Sequence, residues 1–242
     1  MFKMKISVHK IRATLRAIIW WNFNLAESSF ALANHKQRMI HTAFKMIKRW
    51  RINGSYLEFG TFKGQSIIYA YNEMASIFGT KPQKGILSIH GFDSFAGIKG
   101  INADEISGPF IEGGYSASFI EYTENLVKNK VDINFVKTHS GFFQEILTPE
   151  LLKKIKLETP IAAVINIDCD VFEPAFEALN FCKSMFTQGT IVLFDDYYSY
   201  ALHPKKGEVW ALSLFCSENP EFIFNEWMNY GPQGKAFIVS LR

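Results

Sequence analysis

Two hydrophobic rhythms alternate along this chain. Short apolar, β-branched runs at residues 86–92, 162–167 and 190–194 read as strands, the last two as strands buried on both faces. Between them lie stretches in which apolar residues return every three or four positions. One is residues 34–50, with Met39, Ile40, Ala43, Phe44, Ile47 and Trp50 on one face. Another opens at Ser66 with Ile67, Ile68, Ala70, Tyr71 and Met74, and a third follows Pro174 with Phe176, Ala178, Leu179, Phe181, Cys182 and Met185. Ser118 and Glu121 suit a capping box for a helix through Lys130, residues 133–137 suit a third strand, and residues 207–217 a further helix. Residues 221–227 and 235–240, joined by Gly231-Pro232-Gln233-Gly234, read as a closing hairpin. Strand and helix alternation of this kind predicts an α/β domain with a largely parallel sheet.

The chain is organised around residues 56–66, where a short apolar run ends in Glu58 and Gly60 and Gly64 bracket a turn into a helix. In an open α/β sheet, ligands sit beyond the carboxyl ends of the strands, and glycine lets them approach the backbone. Glu58 is placed to accept hydrogen bonds from such a ligand. The spacing has neither the Gly-Lys-Ser/Thr of a P-loop nor the three glycines of a dinucleotide fingerprint. The pattern Glu-Phe-Gly-Thr-x-x-Gly instead resembles motif I of class I S-adenosylmethionine (SAM) methyltransferases. That resemblance implies SAM contacts from Glu58, Phe59, Gly60, Thr61, Gly64 and Ser66. It also implies that Asp93, at the end of the second strand, receives the ribose hydroxyls, although a loop-capping aspartate would look the same.

Composition adds exclusions. The 242 residues, 48% hydrophobic and 20% charged, can bury a full core, and a net charge of +3 with scattered basic residues predicts no nucleic-acid partner. Three cysteines without a Cys-x-x-Cys pair suit neither a disulfide framework nor a zinc knuckle, so a cytoplasmic setting is expected. Residues 1–33 combine five basic residues with Ala17-Ile18-Ile19-Trp20-Trp21, too short an apolar run to span a bilayer. Such a basic helix suits packing on the core or on a second subunit in a homodimer, or else peripheral contact with an anionic membrane surface. Residues 1–52 are expected as a helical segment on the core, and residues 53–242 as the methyltransferase domain.

Gly91-Phe92-Asp93-Ser94-Phe95-Ala96-Gly97-Ile98 narrows the family. It resembles the Phe-Asp-Ser/Thr-Phe-Glu-Gly-Leu signature of the macrocin O-methyltransferase (TylF-like) family of sugar-methylating enzymes, with Ala96 where the family usually carries Glu. Ser140-Gly141-Phe142 is similar to the family's segment beside adenine, and residues 53–239 carry the resemblance. The fold it implies is doubly wound, mostly parallel and seven-stranded, the Rossmann-like sheet of class I SAM methyltransferases, with N-terminal helices. The glycine-rich stretch 99–114 is a candidate lid, and residues 198–206 are expected with it around the acceptor.

Asp168-Cys169-Asp170 and Asp195-Asp196-Tyr197 stand at the ends of two buried strands. Four carboxylates there repel unless a cation joins them, and oxygen ligands alone select a hard ion, Mg²⁺, Mn²⁺ or Ca²⁺, with Mg²⁺ expected. The resemblance assigns Asp168, Asp195 and Asp196 to the metal, Asp168 also to SAM, Ser94 to the cofactor pocket and Asp170 to the catalytic base, with His203 its rival on intrinsic pKa. A carboxylate near pKa ~4 cannot deprotonate an alcohol unaided; a cation that acidifies the hydroxyl supplies the difference. The expected activity is SAM- and metal-dependent O-methylation of a small-molecule hydroxyl, most plausibly on a sugar or glycoside. The alternatives are a catechol-type phenolic methyltransferase and a non-catalytic SAM- or nucleotide-binding protein, with phosphoryl transfer disfavoured by the missing P-loop.

Overall fold

The computed structural model describes residues 35–99, 101, 105 and 108–242. The basic helix expected over residues 1–33, and the dimer and membrane contacts assigned to it, lie outside the described residues. Among these residues no helix is long and apolar enough to cross a membrane. The elements in chain order are α1 (His35–Trp50), β1 (Gly54–Phe59), α2 (Gln65–Phe78), β2 (Ile86–Asp93), α3 (Phe119–Lys128), β3 (Val136–Ser140), α4 (Phe143–Ile146), α5 (Pro149–Glu158), β4 (Ala162–Ile167), α6 (Phe172–Cys182), β5 (Ile191–Phe194), α7 (Gly207–Glu218), β6 (Phe222–Tyr230) and β7 (Gly234–Leu241).

The seven strands run in the order β3-β2-β1-β4-β5-β7-β6, parallel except for β7, which is antiparallel to both β5 and β6. This is the Rossmann-like sheet of class I SAM methyltransferases. β1 lies at its centre, and strand-period alternation there serves two cores at once. Tyr56 packs with α1, α2 and α3 on one face, through Ile40, Phe44, Ile67, Met74 and Tyr122, while Leu57 and Phe59 pack with α5, α6 and α7 on the other. All six residues of β1 and of β4 are buried, as strands covered on both faces require. The order reverses between β1 and β4, so the crevice at their carboxyl ends is the topological switch point where ligands bind in open α/β sheets.

Local departures from the sequence pattern have local causes. The third strand begins at Val136 rather than at residue 133, because Asp132 opens a turn: its carboxylate accepts from the Asn134 N–H and its carbonyl from those of Phe135 and Val136. Ile133 is left exposed at the tip. Helix α5 is not predicted by periodicity. It is started by Thr148, whose hydroxyl caps the Leu151 N–H, and by Pro149 in its first turn.

Candidate functional site

A cavity of about 460 Å³ opens at the switch point. Gly60 and Phe62 of the turn after β1 line it, with Asp93, Ser94, Lys99, Phe110, Tyr115 and Phe142, and with Asp168, Asp170, Asp195 and Asp196. Aromatic rings make much of its wall. Phe62 and Tyr115 meet edge to face at 6.3 Å, and the Lys99 ammonium lies 4.2 Å from the centre of the Phe142 ring.

The glycine turn is held from behind. Glu58 is fully buried and outside the cavity lining; it accepts from the Tyr56 hydroxyl and, at 2.5 Å, from Ser66 Oγ, and burial pushes its carboxyl up. Gly60 has φ +87°, and a side chain there would run into the Asp168 carbonyl. The glycine thus serves the approach of the β4 end as well as that of a ligand. Gly64, at φ +77°, faces Tyr122 and Leu126 of α3. Asp93 ties the turn down: it accepts backbone N–H bonds from Thr61, Phe62 and Phe95, each at 2.7 Å, while still lining the cavity. Of the residues expected around SAM, the structure brings Gly60, Asp93, Ser94, Phe142 and Asp168 to the cavity. Glu58, Phe59, Thr61, Gly64, Ser66, Ser140 and Gly141 do not line it.

Register assembles the carboxylates. Ile167 pairs with Phe194 across β4 and β5, and the ladder runs one residue further, through Asp168 N–H to the Phe59 carbonyl and Asp195 N–H to the Ile167 carbonyl. Asp168 and Asp195 therefore emerge side by side. Oxygens of Asp168, Asp195 and Asp196 lie within 4.8 Å of one another, a donor set suited to a hard divalent cation. Asp170 arrives differently from the expectation of an extended strand end. Its φ is +64°, so a left-handed turn after Cys169 brings its side chain to hydrogen-bond Asp196. Burial first, then repulsion from Asp196 and Asp168, pushes Asp170 up to about 9. Asp168 and Asp196 are raised chiefly by burial as well.

Two further residues complete the cluster, and neither carries a motif. Glu208, buried in the first turn of α7, accepts from the Asp196 N–H at 3.0 Å and from the Cys169 N–H at 3.5 Å, so one carboxylate fixes both aspartate loops. Burial and repulsion from Asp196, Asp168 and Asp195 push it up. Lys36, in the first turn of α1, places its ammonium 2.6 Å from Asp168 Oδ2 and 2.9 Å from Asp195 Oδ2. Burial would lower its pKa, but Asp168, Asp195 and Glu58 more than offset this and hold it above the ordinary lysine value.

The candidate lid is fastened at both neck and tip. Ile98 exchanges backbone hydrogen bonds with Gly113 and Gly114, and Glu105 accepts from the N–H groups of Phe172 and Gly207, at the starts of α6 and α7. Residues 198–206 fall outside the cavity lining, contrary to expectation. Tyr200 instead packs on Phe110 of the loop, and the exposed His203 accepts from the Lys205 N–H at 3.2 Å.

The comparisons with known proteins agree with this geometry. The family model described as Macrocin-O-methyltransferase (TylF) matches residues 29–204, starting ahead of the residue 53 expected and so taking in α1. No curated protein matches the chain. Among solved structures, the O-methyltransferase NovP aligns with a TM-score of 0.66 and 16% identity, over 84% of this chain and 79% of that one. Apo CalS11, a TDP-rhamnose 3'-O-methyltransferase of calicheamicin biosynthesis, gives 0.58 and 15% over 98% and 88%. TomG from Streptomyces achromogenes, in complex with SAM, gives 0.52 and 16% over 87% and 81%. At these identities the likeness is one of fold.

Proposed function

Because the chain belongs to the macrocin O-methyltransferase family, and is a SAM-dependent O-methyltransferase, we propose that it methylates a sugar hydroxyl with Asp168, Asp195 and Asp196 holding a divalent cation and Asp170 taking the proton. The observation that carries this reading is the meeting of the three carboxylates with a glycine turn in one cavity at the switch point. When bound, SAM supplies an electrophilic methyl group and the cation lowers the acceptor hydroxyl's pKa.

The chain's own residues do the rest. Asp93 fixes the turn through three N–H bonds and keeps its carboxylate at the cavity wall, where a ribose diol would reach it. Glu208 sets the backbone of both aspartate loops, so the oxygens are positioned before any ligand arrives. Asp170 lies next to Asp196 with its carboxyl raised toward the hydroxyl's own range, which favours proton acceptance over a free carboxylate. Phe62, Phe110 and Tyr115 offer apolar faces on which a sugar ring can stack.

The test is purified protein with SAM and Mg²⁺ against sugar nucleotides, glycosides and a catechol, with product masses read for one added methylene. Methylation of a sugar hydroxyl, lost in EDTA and restored by Mg²⁺, is expected. Turnover of the catechol alone would move the acceptor to a phenol, and full activity in excess EDTA would remove the cation from the reading.

A further inference from the structure

We propose that the Lys36 ammonium and a divalent cation are mutually exclusive occupants of the site between Asp168 and Asp195, so that cation entry expels Lys36. The inference rests on the cation reading above and adds a residue to it. The ammonium sits within 3 Å of one oxygen from each aspartate, and Asp168 and Asp195 also supply two of the three clustered cation donors. A hard cation contacts carboxylate oxygens at about 2.0–2.6 Å. An ammonium 2.6 and 2.9 Å from Asp168 and Asp195 therefore fills much the same volume. Like charges so close repel strongly in a largely dehydrated site.

The surroundings suit exchange. Lysine is a compact charge on a four-carbon stem, so its head can swing without its backbone moving. Helix α1 stays anchored, because Met39, Ile40, Ala43, Phe44 and Ile47 are buried in the core. The side chains of Lys36, Asp168 and Asp195 are 20%, 22% and 24% exposed, which gives the ammonium a route to solvent. Without a cation, Lys36 neutralises part of a cluster in which Asp168, Asp170, Asp196 and Glu208 repel one another. Its place within the matched residues 29–204 puts this charge on the family's own segment.

Mn²⁺ binding followed by electron paramagnetic resonance, without substrate turnover, tests the inference on the wild type, Lys36→Met and Asp195→Asn. Lys36→Met is expected to bind Mn²⁺ about tenfold tighter or more, a change of about 1.4 kcal/mol, while Asp195→Asn loses binding. In the wild type, which avoids any folding defect of the variant, Mn²⁺ should raise the acetylation rate of Lys36 severalfold and leave that of Lys137 unchanged, read by mass spectrometry. An unchanged or weaker Mn²⁺ affinity in Lys36→Met, or Lys36 labelling indifferent to Mn²⁺, overturns the exchange while leaving the cation site in place. Absence of Mn²⁺ binding from both wild type and Lys36→Met, with SAM still bound, overturns the exchange and the cation reading together.

Discussion

The two walls of the crevice are built on opposite principles. On the β1–β2 side every carboxylate is answered: Asp93 by three backbone N–H groups, Glu58 by Tyr56 and Ser66. On the β4–β5 side Asp168, Asp170, Asp195, Asp196 and Glu208 crowd together, and among the described residues the cation paired with them is Lys36. The first wall is satisfied without a ligand, whereas the second stores repulsion that a bound cation would relieve. One side reads as a rigid seat for a cofactor and the other as a trap for positive charge.

The comparison is broken most severely by neutralising the trap. Asp168→Asn, Asp195→Asn and Asp196→Asn are each expected to drive turnover below detection while thermal unfolding stays unchanged or moves upward, since each removes a repelled charge. A matching loss of thermal stability would make these carboxylates structural. By contrast, Glu58→Ala on the satisfied wall leaves the Tyr56 and Ser66 hydroxyls without their acceptor and should cost about 1–3 kcal/mol of stability.

Next in size is the proton acceptor. Asp170→Asn should lower kcat by ~10² to 10⁴ with SAM affinity nearly unchanged, and His203→Ala by less than about tenfold. The reverse ranking in a single-turnover assay would transfer the role to His203.

Gly60 joins the two walls. Gly60→Val would force a β-branched residue to φ +87° against the Asp168 carbonyl, at a cost of about 3 kcal/mol or more. Both SAM and Mn²⁺ binding should weaken, because the displaced backbone carries Asp168. Weakening of SAM binding alone, by calorimetry, would mean that the walls move independently.

The smallest effect belongs to the sheet edge away from the trap. Burial lowers His90 to about 3 and His139 to about 4, and their rings stack with a 3.1 Å contact between His90 Nδ1 and His139 Nε2. The folded state keeps both neutral, so the unfolded chain gains protons first as pH falls below the ordinary histidine value of ~6.5. Stability should therefore drop between about pH 6.5 and 4, by on the order of 2 kcal/mol for His90 by pH 5. Urea midpoints at the two ends of that range should converge in His90→Gln; an equal drop in wild type and variant would place the acid sensitivity elsewhere.

What the sequence alone determined was whatever is periodic or punctuated locally. Runs such as residues 162–167 carry their strand character in β-branched side chains, and Gly60 and Gly64 mark a turn because only glycine tolerates it cheaply. The aspartates were legible because they stand where buried runs end, and in a parallel sheet run ends share one rim. Tertiary structure decided everything that depends on which rim positions meet. Lys36 lies 132 residues from Asp168, and Glu208 39 residues from Cys169. As a lysine near a helix start and a glutamate in a helix's first turn, they look like ordinary solvated charges. The left-handed turn at Asp170 and the anchoring of the 99–114 loop through Glu105 are equally silent, since no repeat or spacing marks them. Periodicity reports the neighbours a residue has along the chain, whereas a site at a switch point is made by strands that are not consecutive and by a helix that precedes them all.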